Sequence, residues 1–131
     1  MPKQILPSPK ESEIQKSILD YLQILENQKK ILFIRLNAGM IPILNPNGSW
    51  RMLKGAPAGW PDIIVWKPVK RYGQSVVSGR DYLMTYFLEV KRPHTGKQTP
   101  QQVSFEASVN RIGGSYHVVT SLNAVQRILN F

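Results

Sequence analysis

Two acidic residues and one lysine adjoin apolar runs that are typical of buried strands. Asp62 directly precedes one such run, and Glu89 and Lys91 directly follow another. Side chains alternate along a strand, so Glu89 and Lys91 point to one face of a sheet while Val90 points to the other. Charges at such positions do not serve solubility, and the pattern therefore indicates a site where these three polar groups act together.

Two carboxylates on neighbouring strands repel each other, and the repulsion is relieved when one pKa rises or when a cation binds between them. Carboxylate and carbonyl oxygens suit Mg²⁺ or Mn²⁺, which keep several water molecules. One of those waters can attack a phosphodiester, and the ammonium group of Lys91 can orient it or stabilise charge in the transition state. The pattern therefore favours metal-dependent phosphodiester hydrolysis.

Further motifs accompany this acidic pair in a fixed order. After Glu13 in a leading helix come Gly59-Trp60-Pro61-Asp62, Glu89-Val90-Lys91-Arg92-Pro93, Thr99-Pro100-Gln101-Gln102 and Gly113-Gly114. This arrangement resembles the VRR-NUC (virus-type replication-repair nuclease) family of the PD-(D/E)xK nuclease superfamily, over residues 12–125. The resemblance implies a Mg²⁺- or Mn²⁺-dependent deoxyribonuclease with a restriction-endonuclease-like α/β sandwich, in which helices flank a central mixed sheet.

The resemblance also implies a role for each residue at the centre of the arrangement. Asp62 and Glu89 would bind one or two metal ions, and the backbone carbonyl of Val90 would add a ligand. Lys91 would position the attacking water. A purely structural or assembly protein would leave Glu89 and Lys91 unexplained at the end of an apolar strand.

Two predicted helices would contribute one further polar side chain each. By the resemblance, Glu13 completes the metal site directly or through water, and Gln102 points at the active site. As ordinary structural residues, Glu13 is a first-turn acid favoured by the helix dipole, and Gln102 caps the backbone amide of Thr99. For Gln102 the two roles do not exclude each other.

The charge balance points to a polyanionic partner. Lys and Arg number 17 against 8 Asp and Glu, which gives a formal net charge of +9, and nucleic acid is the commonest polyanionic partner. No helix combines a Lys/Arg face with a Trp/Leu face, which argues against binding at a membrane surface. The candidate DNA-contacting residues are Arg51, Lys54, Lys70, Arg71, Arg92 and Lys97.

The remaining composition excludes other kinds of site. The chain has no cysteine, so disulfides and thiolate zinc sites are impossible. Of the two histidines, His117 is predicted to be a structural strand residue, whereas His94 could help to bind phosphate. The first residues are too few and too proline-rich for a signal peptide, and no apolar run approaches a membrane span, so a cytoplasmic location is expected.

Residues 1–131 are expected to form a single domain in which residues 1–8 are a flexible arm. The order is helix, strand, short strand, strand, strand, helix, strand, helix. The first helix is capped at Ser8 or one turn later at Ser12, and Gly113-Gly114 ends the second. Residues 40–49 are predicted to be irregular, with a tight turn at Asn47-Gly48, and residues 67–80 form an unusually long connection.

A structure-selective endonuclease that acts as a homodimer on four-way junctions fits these features, since a two-fold dimer supplies the two incisions that a junction requires. Apolar residues of the irregular span, Ile41, Ile43 and Leu44, are candidate interface residues. Two alternatives stay open: a non-catalytic nucleic-acid-binding module with a nuclease fold, and a nuclease that acts on flaps or single strands. A site-specific restriction-type enzyme normally needs more chain for base readout.

Overall fold

The computed structural model describes residues 8–36, 40–69 and 82–131. It has mixed α/β architecture with three helices and a mixed central sheet. The elements in chain order are α1 (Glu11–Asn27), β1 (Leu32–Arg35), β2 (Met40–Leu44), β3 (Trp50–Lys54), β4 (Ile63–Val69), β5 (Tyr82–Val90), α2 (Pro100–Arg111), β6 (Ser115–Val119) and α3 (Leu122–Leu129). Apart from β2, this is the order that the apolar patterns predict.

The central sheet has the strand order β1-β4-β5-β6. Neighbours β1 and β4, and likewise β4 and β5, run antiparallel, whereas β5 and β6 run parallel because α2 connects them. The register pairs Ile63 with Leu88, and the pairing continues one residue further, since the backbone N–H of Asp62 donates to the Leu88 carbonyl at 3.1 Å. This register brings the end of β5 beside Asp62.

Helices α1 and α3 cover one face of the sheet and enclose the main core. Leu88 and Val90 of β5 are fully buried there. They pack in one cluster with Ile18 and Leu22 of α1 and with Val125 of α3. Their alternation along the strand leaves Phe87 and Glu89 on the opposite face, as the sequence predicts. Burial of the apolar face therefore determines which way Glu89 points.

Helix α2 packs on that second face through aromatic contacts. The Phe105 ring centroid lies 4.8 Å from that of Trp60, 5.5 Å from that of Phe87 and 6.0 Å from that of Tyr116. Close backbone contact adds to this packing, because a Cβ at Gly59, whose φ is +94°, would lie 2.5 Å from the Gln101 carbonyl oxygen. The small-residue loop before Asp62 thus admits the backbone of α2.

The prediction of irregular structure at residues 40–49 is wrong for residues 40–44, which pair with β3 as strand β2. Pro42 is tolerated because both strands of this separate two-stranded ribbon are edges. The predicted turn is confirmed, with the Gly48 N–H donating to the Asn45 carbonyl at 3.0 Å. Leu44 and Trp50, which pair across the ribbon, are both exposed.

The start of α1 also differs from the prediction. The helix begins at Glu11 with Lys10 as its cap residue, so neither Ser8 nor Ser12 caps it. The Ser8 hydroxyl instead accepts a hydrogen bond from Arg92 Nε at 3.2 Å, and its carbonyl accepts one from Nη2 at 3.0 Å. Ser8 is therefore held against the domain, and the rest of the predicted arm, residues 1–7, lies outside the described residues.

Across the described ranges, no helix combines the length and apolar character that a membrane span requires.

Candidate active site

Asp62 is positioned by the hydrogen bonds of the strand pair that it adjoins. Its backbone N–H donates to Leu88, and its carbonyl accepts from the Leu36 N–H at 2.7 Å. The side chain bridges to the neighbouring strand, where Oδ2 accepts from the Val90 N–H at 2.7 Å. One carboxylate oxygen of Asp62 is thereby fixed against the end of β5.

Glu89 is an acidic residue that is almost completely buried. Its relative exposure is 1%, and among the described side chains its Oε2 is the one buried polar atom to which no N–H or O–H group donates. Burial, the nearby charge of Asp62 and a proton shared with that carboxyl group raise the Glu89 pKa to about 8, although Lys91 acts in the opposite direction. Without a cation, Glu89 therefore holds a proton at neutral pH.

Lys91 and Gln102 both reach the other oxygen of Glu89. Lys91 Nζ lies 3.7 Å from Oε1 with its side chain only 11% exposed, and Gln102 Nε2 donates to Oε1 at 2.8 Å. Gln102 also caps α2, since its Oε1 accepts from the Thr99 N–H at 2.8 Å. The predicted cap is confirmed, Gln102 also contacts Glu89, and the cap fixes which end of the amide faces that residue.

The residues present fit a Mg²⁺-type ion. Glu89 Oε2 is a buried carboxylate oxygen without a donor, and the charge of the Asp62 carboxylate acts on Glu89. The Val90 carbonyl stays a predicted ligand. The described ranges contain no group of three or more His, Cys, Asp or Glu side chains that could hold a metal. Mg²⁺ does not need one, because it keeps several waters and is commonly bound by one or two carboxylates.

The first turn of α1 carries two exposed acids, Glu11 and the expected Glu13. Glu13 is exposed, and its carboxylate accepts from the Lys10 N–H at 3.4 Å as part of the helix cap. Glu11 is the α1 residue whose charge contributes to the raised pKa of Glu89. The cap at Lys10 uses the Glu13 carboxylate, so the role of Glu13 at the site stays a prediction and Glu11 is a second candidate from the same turn.

Tyr116 is a second residue that sequence reasoning missed. It lies on β6 opposite Phe87, and its hydroxyl accepts from Gln98 Nε2 at 3.4 Å. Burial raises the Tyr116 pKa to about 12, and Glu89 and Asp62 add to this shift. Tyr116 is therefore a neutral phenol close to the acids. Its place in the parallel pairing, two residues before the partner of Glu89 and so on the same face of the sheet, is the signal that could have identified it.

The candidate DNA-contacting residues separate into three groups. Arg51, Lys54 and Lys97 are exposed and accessible to a phosphate backbone. Arg92 is half-buried and donates to Ser8, so its established contact is structural. The remaining two, Lys70 and Arg71, lie outside the described residues.

The histidines are not part of the acid pair. His117 is half-buried on β6, its Nε2 lies 2.7 Å from the Ser115 hydroxyl, and burial lowers its pKa. This confirms a structural role. His94 is exposed in the loop after Lys91, at a positive φ of 63°, and its phosphate contact stays a prediction.

The raised pKa of Glu89 predicts a pH-dependent stability in the absence of metal. Between the ordinary Glu value of 4.5 and about 8, the folded protein holds a proton that the unfolded chain has lost. Because the folded state binds more protons there, the free energy of unfolding should fall as pH rises through this window. Glu89→Gln should remove this contribution. In EDTA, the melting temperature of the variant minus that of the wild type should therefore increase from pH 5 to pH 9. A difference that is the same at every pH would contradict the prediction.

Comparison of this chain with protein-family models, with curated proteins and with solved structures gave no match.

Proposed function

We propose that the protein is a divalent-metal-dependent deoxyribonuclease with an active site of the PD-(D/E)xK type, similar to that of the VRR-NUC family. The observation that carries the proposal is that Asp62, at the start of β4, lies beside the end of β5, which carries Glu89. Glu89 Oε2 is buried and has no donor, and Lys91 Nζ lies 3.7 Å from Glu89 Oε1. The net charge of +9 favours a polyanionic substrate. A restriction-endonuclease-like sandwich accommodates the observed sheet and helices.

Each group in the site has a separate task in this proposal. Asp62, Glu89 and the Val90 carbonyl would hold the cation, which would neutralise the acids and lower the pKa of a water molecule. Lys91 is nearly desolvated, so its charge acts strongly on the phosphate oxygens as negative charge develops. Gln102 occupies Oε1 of Glu89 and leaves Oε2 as the oxygen without a donor.

Single substitutions of Glu11 and Glu13 by glutamine test which of these two α1 acids belongs to the site. We expect Glu11→Gln to lower the cleavage rate by roughly tenfold to a hundredfold, the effect typical of a residue that acts on metal ligands through water. Glu13→Gln should keep a rate close to that of the wild type, since glutamine also serves in a capping box. Single-turnover cleavage at saturating Mg²⁺ measures both. A larger loss for Glu13→Gln would return the role to Glu13.

The preferred substrate in this proposal is branched DNA, cut by a homodimer. One domain with one acid pair cuts one strand, whereas resolving a four-way junction needs two symmetric incisions. The exposed apolar ribbon offers Leu44 and Trp50 as interface residues beside the half-buried Ile43, while the side chain of Ile41 lies outside the described residues. Light scattering at micromolar concentration together with competition between labelled junction and unlabelled duplex tests both points. A monomeric mass, or equal competition by duplex, would refute this preference.

The activity itself is tested by incubating the protein with single-stranded, duplex, flapped and four-way DNA in Mg²⁺, Mn²⁺, Ca²⁺ or EDTA. We expect cleavage with Mg²⁺ or Mn²⁺, binding with little cleavage in Ca²⁺, and no cleavage in EDTA. A folded protein that binds these DNAs and cuts none of them under any condition would instead be a nucleic-acid-binding module.

A further inference from the structure

An open groove of about 470 Å³ lies between the first turns of α2 and the loop that precedes Asp62. Its walls include Trp60, Pro100, Gln101, Ser104 and Phe105. Trp60 stands two residues before Asp62, and Gln101 is adjacent to Gln102, the residue that donates to Glu89. The groove is therefore built on the same two segments that carry Asp62 and Gln102.

The aromatic wall of the groove is rigid yet open. The Trp60 backbone N–H donates to the Pro57 carbonyl at 3.3 Å, and the preceding Gly59 touches the Gln101 backbone. The indole packs on Phe105 on one side and is still 37% exposed. Its Nε1 makes no hydrogen bond to any described residue. A fixed aromatic ring with free surface is the platform on which proteins stack bases of single-stranded nucleic acid.

The polar groups of the groove suit a base more than a phosphate. Gln101 and Ser104 are exposed on the same flank of α2, and their side chains bond to no described residue. Amide and hydroxyl groups can donate to or accept from the edge of a base, whereas phosphate is bound mainly by Arg and Lys. Among the described residues, the groove walls include no charged side chain, although the chain as a whole carries +9. The described walls therefore offer hydrogen-bonding groups and an aromatic ring, without the positive charge that favours phosphate.

We propose that this groove holds an unstacked nucleobase of the DNA strand whose phosphate lies at the acid pair. The proposal rests on the proposed nuclease function and deepens it, because it makes an unpaired nucleotide beside the cut part of what the enzyme recognises. A paired base cannot enter the groove without leaving the duplex, and that costs stacking and pairing energy. DNA that already carries unpaired nucleotides avoids this cost and is the favoured substrate class.

Two probes isolate the base from the backbone. Both are labelled duplexes with a short internal single-stranded gap, whose nucleotides are thymidines in one probe and abasic in the other. Fluorescence anisotropy in Mg²⁺ with the Glu89→Gln protein measures binding without cleavage. We expect the thymidine probe to bind tenfold or more tightly, on the order of one stacked base. The preference should persist in Trp60→Phe and vanish in Trp60→Ala.

Because Trp60 also packs on Phe105, a second variant leaves the aromatic contact intact. Ser104→Leu fills the groove from an exposed position and should abolish the base preference, whereas Ala107→Leu, exposed on the same helix but outside the groove, should retain it. A preference that survives Ser104→Leu, or equal binding of the two probes, overturns the groove proposal. In that case metal-dependent cleavage by the wild type would leave the nuclease proposal standing. No binding to either probe, with no cleavage of any DNA, would overturn both.

Discussion

Glu89→Gln and Asp62→Asn are each expected to lower the single-turnover rate of DNA cleavage by on the order of 10³-fold or more. Each change removes one of the two carboxylates that meet across β4 and β5. DNA affinity should stay the same or rise, because a negative charge near a phosphate is lost. The fold should survive in Glu89→Gln, since the new amide oxygen can still accept from Gln102. Rates and affinities measured on one labelled DNA separate the two effects.

Asp20→Asn is the matched control for this loss of charge. Asp20 lies on α1, is 65% exposed and pairs with Lys16, so its substitution changes net charge equally without touching the acid pair. We expect an unchanged cleavage rate. Undiminished cleavage by the Glu89→Gln protein, or by the wild type in EDTA, would exclude the metal mechanism.

Lys91→Ala is expected to lower turnover by about a hundredfold while DNA affinity falls by less than about tenfold. The ammonium group lies 3.7 Å from Glu89 Oε1 and is largely shielded from water. Its charge therefore acts in a low-dielectric site, where a fixed charge is worth more in the transition state than as one phosphate contact among many. Saturating single-turnover rates and anisotropy titrations with the same DNA give the two quantities.

Lys97→Ala should show the opposite pattern. It removes the same charge from the exposed loop that follows Lys91, so affinity and its salt dependence should fall while the saturating rate is kept. If Lys91→Ala behaves in the same way, and cleavage returns at high protein concentration, Lys91 is a binding residue only.

The elements around the acid pair were predictable because strong local signals coincide there. The alternation along β5 correctly predicts that Leu88 and Val90 enter the core while Glu89 faces α2. Thr99 and Gln102 carry a capping box, and the structure has it. In each case a periodic apolar pattern or a cap decides the conformation without help from distant residues.

The features that could not be predicted depend on contacts between distant residues. Ser8 has the residue type of a helix cap, yet Arg92, which is remote in the sequence, takes its hydroxyl, and α1 starts later. That shift places Glu13 in the capping box of α1 and leaves Glu11 as the α1 acid whose charge adds to the raised pKa of Glu89. Strand β2 was missed because Pro42 argues against a strand unless the partner arrangement makes it an edge.

Gln102 joins the first turn of α2 to the buried acid through a single amide group. Its oxygen accepts from the Thr99 N–H, and its nitrogen donates to Glu89. Opening of this turn and loss of the donor to Glu89 are therefore the same event, and an ion or a proton that alters Glu89 also alters how often the turn opens. The hydrogen-exchange rates of the backbone amides of Thr99 and Gln102 should therefore change when Glu89 gains or loses a proton or a cation.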